Sequence, residues 1–236
     1  MKKKEYLCSM KQILRPLSVY SIAYFILLMF VLALLYIYPK LDLHLLLNSW
    51  HTTFGDVFFK YYSILAEWPL YILALLPVFW KKYGMTLLFA LSELTGGAIL
   101  QILKHLFDFE RPVCAFENYA NATLPLVEGV DMHHSNSFPS GHASTFFVFF
   151  TCCAIILAYQ YQQKAEQNNH GYHFQSHLMM LVFLILAALG AYSRVYLSQH
   201  FLSDVCMGSI IGFISPFVIF YLGRNKIMKL NKNENK

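Results

Sequence analysis

The chain has 236 residues, of which 57% are hydrophobic, 17% aromatic and only 13% charged, about half the roughly 25% charge of an ordinary soluble domain. Its apolar residues lie in long blocks, and blocks of about 20 are what a bilayer requires. A water-soluble globule is therefore not expected, and the formal net charge of +5 points to membrane sidedness rather than to nucleic acid.

The first block, Pro16 to Tyr38, is 23 residues without a charge after a basic start at Lys2, Lys3, Lys4, Lys11 and Arg15. It is longer than the apolar part of a signal peptide, about 7 to 15 residues, and no small-x-small cleavage site follows, so it reads as a retained span. Further spans are expected at Tyr62–Trp80, Gly84–Phe107, His142–Tyr159, His177–Ser193 and Val205–Gly223, separated by Gly, Pro and charged residues. Helices satisfy their own backbone hydrogen bonds, as lipid demands. The expectation is an all-α bundle of six transmembrane helices, a single domain over residues 1–236 with basic tails at 1–15 and 224–236 and no internal repeat.

Sidedness follows from the basic residues. Five lie in the N-terminal segment, two in the second loop (Lys81, Lys82), one in the fourth (Lys164) and five from Arg224 onward, thirteen of the eighteen Lys and Arg. The positive-inside rule then puts both termini in the cytoplasm and the loops 39–61, 108–141 and 194–204 outside. Cys8, Cys114, Cys152, Cys153 and Cys206 are odd in number and lack metal-ligand spacing, so neither a disulfide framework nor a zinc site is indicated.

Three short segments put polar and charged residues where helices meet the outer surface. Lys104 and Arg111-Pro112 close the third span, and seven residues is nearly two helical turns, which would set both cations on one face. Pro139-Ser140-Gly141-His142 precedes an uncharged block, with Ser140 as N-cap and free N–H groups favouring an anion. Ser193-Arg194 through His200 to Asp204 joins spans five and six, and His200 and Asp204 are i, i+4. Three cations, two histidines, a carboxylate and a helix start, all on one side, match phosphoryl transfer.

The segments, K-x6-R-P, P-S-G-H and S-R-x5-H-x3-D, lie between 104 and 204 and resemble the signature of the type 2 phosphatidic acid phosphatase family, the lipid phosphate phosphatases, with every signature position matched. The resemblance implies a fold of six spans, His200 as nucleophile forming a phosphohistidine, Asp204 as its orienting partner, and His142 as the acid that protonates the leaving oxygen. It implies a phosphate held by Lys104, Arg111, Arg194, Ser140 and the Gly141 backbone, with no metal and no cofactor. The expected substrate is a membrane lipid phosphate: undecaprenyl diphosphate, phosphatidylglycerol phosphate, phosphatidic acid or a lipid A phosphate. The chemistry would take place at the outer face of the cytoplasmic (inner) membrane, without an obligatory protein partner. A lipid phosphotransferase shares the same intermediate; a vanadate-dependent haloperoxidase and a channel or transporter are the other readings.

Outside the signature, Glu67 and Glu93 lie in apolar blocks and are read as neutral or hydrogen-bonded packing groups. Asp131, His133 and His134 read as a solvated loop, Gly208 and Gly212 as close helix packing, and the Asn121 sequon carries no weight. The loop from Asp108 to Phe138 holds five acids against Arg111 alone. That balance repels a free soluble phosphate and favours a lipid headgroup arriving sideways from the outer leaflet.

Overall fold

The computed structural model describes residues 2–117, 119, 123–168 and 174–232. Asn121 of the sequon and the end of the C-terminal tail, 233–236, lie outside the described residues. Among those described, the chain forms nine α-helices: α1 (Lys2–Ile37), α2 (Lys40–Asn48), α3 (Thr53–Ile64), α4 (Pro69–Leu75), α5 (Tyr83–Leu106), α6 (Pro112–Glu117), α7 (Gly141–Asn168), α8 (Phe174–Tyr196) and α9 (Leu202–Lys232). A turn of 3-10 helix, Leu76–Trp80, extends α4.

Five helical stretches are long and apolar enough to cross a bilayer: Leu17–Ile37, Tyr83–Leu106, Gly141–Gln162, Gln175–Tyr196 and Leu202–Arg224. Thr53–Ile64 and Pro69–Trp80 pass the same test only together, bent by 48° at the break between them, and counted as one crossing they make a sixth. This corrects the expected second span. It begins at Thr53 rather than Tyr62, because Thr52 caps α3 by accepting the Gly55 N–H at 3.0 Å. The 39–61 stretch is accordingly not an open loop but contains α2 and most of α3. The break at 65–68 arises where Pro69, which has no N–H to donate, starts a new helix. The described part of each expected tail continues its helix, back to Lys2 and on to Lys232.

With the bent pair counted as one crossing, the start of α1 and the end of α9 fall at the same end of the bundle. The C-termini of α5 and α8 and the N-termini of α7 and α9 gather at the other end. The core lies among α1, α7, α8 and α9, where Tyr20, Phe146, Phe147, Ala154, Ile155 and Met180 are fully enclosed. Tyr24 stacks on Phe213 with centroids 3.9 Å apart. Gly208 and Gly212 have the expected packing role: a Cβ on either would run into the Ser140 or Ser144 carbonyl of α7. Two helices therefore meet backbone to backbone just beneath the end where the signature residues lie.

Candidate phosphate site

α8 ends at Tyr196, and the chain turns tightly before α9 starts at Leu202. Gln199 and His200 both donate their N–H groups to the Arg194 carbonyl, at 2.9 and 3.1 Å. His200 is therefore in a turn rather than a helix, yet its Nδ1 still faces Asp204 Oδ2 at 3.7 Å. That carboxylate is held firmly. Oδ2 accepts from Ser137 Oγ at 2.6 Å and the Phe201 N–H at 3.0 Å, and Oδ1 from Ser203 Oγ at 3.0 Å. The other imidazole nitrogen, Nε2, points the opposite way, 3.4 Å from Arg111 Nη1. Burial pushes the His200 pKa down to about 4, aided by Arg111 and Arg194 and opposed by Asp204. At neutral pH this ring is the free base.

The cations converge from three elements. Arg194 closes α8, donates to Ser63 Oγ of α3, and has an Nε without a hydrogen-bond partner among the described residues. Arg111 does not extend α5, as the seven-residue spacing suggested. α5 stops at Leu106, and Arg111 lies in the following loop, where its N–H donates to the His134 carbonyl at 3.2 Å before Pro112 opens α6. Its guanidinium donates to the Ser135 carbonyl at 2.9 Å and the Gln199 carbonyl at 3.0 Å. Burial lowers the Arg111 pKa, with Asp204 opposing. Lys104, half-buried in the last turn of α5, interacts electrostatically with Arg111. Arg111 and Arg194 are each only 8% exposed and near enough to repel one another. Two enclosed like charges are costly without an anion between them, so the pair suits a phosphate.

α7 begins at Gly141, and Ser140, fully buried, is its N-cap: its Oγ accepts the Ala143 N–H at 3.5 Å. The Ser140 N–H itself donates to the Asp204 carbonyl at 3.0 Å, which ties this loop to the turn carrying His200. A Cβ built on Gly141 meets nothing within 4 Å, so the first turn of α7 looks into open space where its N–H groups can reach a ligand. His142, one residue on, interacts electrostatically with Arg194, His200, Arg111 and Lys104. All eight signature residues named from the sequence therefore come together at one end of the bundle.

Five further residues complete the site. Gln199 Oε1 lies 3.4 Å from Arg111 Nη1 and 3.5 Å from Arg194 Nη2, linking the two guanidiniums. Asn48 of α2 braces the turn from behind, and Ser63 and Ser137 hold Arg194 and Asp204. Nothing in the local sequence around these four marks them. Glu67 differs from its expected packing role. It stands in the 65–68 break with its Oε1 3.7 Å from His142 Nε2 and a side chain 54% exposed. Glu93 does pack, with Oε1 accepting from Tyr71 and Thr145 at 2.9 and 2.7 Å. Asp131, His133 and His134 are exposed, as a solvated loop would be, and Cys114, Glu117 and His134 bring three ligand-type atoms within 4.8 Å of one another. Among the described residues this is the cluster that could hold a metal; it shares no side chain with the phosphate site, though the His134 carbonyl receives the Arg111 N–H.

A model of the PAP2 superfamily matches residues 85–228, from α5 to α9. A Drosophila melanogaster protein named "Putative phosphatidate phosphatase" is 40% identical over 83 residues, which is 35% of this chain and 20% of the fly protein. The chain thus spans about a fifth of the length of that curated relative. The crystal structure of Aquifex aeolicus LpxE superposes with a TM-score of 0.59 at 23% identity, covering 77% of this chain and 94% of that one; the likeness is one of fold.

Proposed function

The chain belongs to the PAP2 superfamily, and we propose from this premise that it is an integral membrane phosphatase. Its substrate in this reading is a phosphate monoester or diphosphate of a lipid. The observation that carries the reading is the approach of a buried, neutral His200 Nε2 to the guanidinium of Arg111, a nucleophile beside a cation that binds its target. Phosphate held by Arg111, Arg194 and Lys104 and by the first N–H groups of α7 presents phosphorus to Nε2. The Nε2–P bond forms as the bond from phosphorus to the lipid oxygen breaks. His142 gives its proton to that oxygen, and Asp204 supports the charge on His200 through Nδ1. Water then attacks phosphorus, His142 takes its proton, and the N–P bond breaks to free inorganic phosphate.

A lipid substrate is supported by the gradient of exposure across the site. The His200 side chain is 3% exposed, that of His142 26% and that of Glu67 54%. The way out therefore leads from the nucleophile past the acid to the bend of the second crossing. There Tyr61 and Trp68, 64% and 60% exposed, give an aromatic, bilayer-facing margin. A leaving lipid can depart sideways along this line without crossing the acidic outer loop.

The test is phosphate release by the purified protein from undecaprenyl diphosphate, phosphatidylglycerol phosphate, phosphatidic acid and lipid A phosphate. His200→Ala is expected to abolish release, and trapping of labelled enzyme at acid-labile histidine is expected with the wild type. Full activity of His200→Ala would overturn the phosphohistidine route; transfer to a second lipid without phosphate release would make the protein a phosphotransferase. The basic-residue count supports cytoplasmic termini and a site on the outer face, which accessibility labelling of single cysteines at positions 81 and 133 in intact cells would test.

A further inference from the structure

Glu67 belongs to none of the three signature segments, and the family match begins only at residue 85. We propose that Glu67 is the carboxylate partner of His142, a positioning residue that orients the imidazole and supports its positive charge as it serves as the acid. The inference rests on the phosphatase reading above.

Three observations meet here. The first is geometric: Glu67 Oε1 faces His142 Nε2 at 3.7 Å, and that buried nitrogen has no hydrogen-bond partner among the described residues. The second is electrostatic. His142 is surrounded by Arg194 from α8, Lys104 from α5, Arg111 from the loop before α6 and His200 from the turn before α9. Three cations around an imidazole that must deliver a proton call for an opposing charge. Asp204 is occupied by His200, Ser137, Phe201 and Ser203, and Glu93 by Tyr71 and Thr145. Glu67 faces both His142 and Arg194.

The third is the backbone. The Leu65, Ala66 and Glu67 N–H groups each donate three residues back, to Tyr62, Ser63 and Ile64 at 3.1, 3.2 and 3.0 Å, tightening the chain into the bend before Pro69. A straight helix would carry residue 67 onward along the bundle. The bend instead holds it at the site, one turn from Ser63, which receives Arg194. The break in the second crossing thus has a use: it delivers one side chain to the phosphate-binding arginine and another to the acid.

The experiment compares wild type, Glu67→Gln, Glu67→Asp and His200→Ala on a long-chain lipid phosphate and on p-nitrophenyl phosphate, whose leaving oxygen needs no proton. Glu67→Gln is expected to lower kcat/KM on the lipid, which reports the transfer to His200 and not the later release of phosphate, by about tenfold or more, to lose much less kcat/KM on the aryl phosphate, and to be partly restored in Glu67→Asp. An unchanged kcat/KM on the lipid in Glu67→Gln, or equal losses of kcat/KM on both substrates, overturns the inference while leaving the phosphatase reading intact. Absence of phosphate release by the wild type overturns that reading itself, and this inference with it.

Discussion

The Ser140 N–H donates to the Asp204 carbonyl at 3.0 Å, fastening the start of α7 to the residue whose carboxylate faces His200. This bond exists because α7 and α9 approach without side chains between them. A Cβ on Gly208 would strike the Ser140 carbonyl and then the Ala143 Cβ at 3.2 Å. Gly208→Ala is predicted to cost about 1 to 3 kcal/mol and to reduce activity by more than the lost stability explains, because it parts the acid from the nucleophile. Gly97→Ala, where a Cβ meets nothing within 4 Å, is predicted to be neutral. Melting temperature and turnover in detergent check both.

Gln199 separates two roles that a single substitution would confuse. Its Oε1 faces Arg111 and Arg194 while its Nε2 donates to the Asp131 carbonyl at 2.9 Å, anchoring the outer loop. Gln199→Leu leaves the guanidiniums without this acceptor and is predicted to destabilise by about 1 to 3 kcal/mol and to raise KM. Gln199→Glu pairs both arginines and is predicted to retain stability, but its carboxylate competes with phosphate, so KM is predicted to rise further than in Gln199→Leu. Paired assays are expected to give Gln199→Glu both the higher melting temperature and the higher KM of the two variants.

Burial pushes both His44 and His200 down to about 4 from the ordinary 6.5. A group whose pKa is lower folded than unfolded stabilises fully above the unfolded value, and the stabilisation is lost as pH falls through the folded one. Melting temperature is therefore predicted to fall between about pH 6.5 and 4, with a shallower slope in His44→Leu. Activity behaves differently. His200 stays a free base throughout most of that window, so kcat/KM at about pH 5.5 is predicted to remain within about twofold of its neutral value. An ordinary histidine would lose about tenfold there. Initial rates at low temperature separate the two effects.

The helical bundle and the eight signature residues were legible in the sequence for physical reasons. Spans announce themselves because lipid tolerates so few charges, and Lys104, Arg111, Arg194, His142, His200 and Asp204 stood out against that background. What escaped was tertiary. Arg111 is positioned by the His134 carbonyl rather than by helical spacing from Lys104, and a hydrogen bond between residues 23 apart leaves no local pattern. The bend at 65–68 falls just before Pro69, but an apolar block with two prolines, Pro69 and Pro77, reads equally well as a kinked helix. Glu67 was visible as an odd carboxylate, and only the bend reveals that it faces His142. Asn48 lies in a stretch that reads as loop, and its burial follows from α2 folding back under the turn.

That burial supports one further prediction. Asn48, fully enclosed, donates through Nδ2 to the Val195 carbonyl at 3.0 Å, the Tyr196 carbonyl at 2.6 Å and Ser198 Oγ at 3.0 Å. These acceptors line the turn that carries His200, and α8 ends there with carbonyls that have no helical donor. Asn48→Leu keeps the volume but takes its donor from the Tyr196 carbonyl, at about 1 to 3 kcal/mol for the group so orphaned, while the Val195 carbonyl keeps the Ser198 N–H at 3.0 Å. Asn48→Asp goes further, setting a carboxylate against carbonyl oxygens. Both are predicted to lower the melting temperature, Asn48→Asp the more. Because the turn sets the direction of His200 Nε2, kcat measured well below the melting point is predicted to fall as well, with binding of inorganic phosphate to Arg111 and Arg194 largely retained. Phosphate inhibition constants measured beside kcat would reveal that split, and equal losses in both would mean that Asn48 supports the site as a whole rather than the nucleophile.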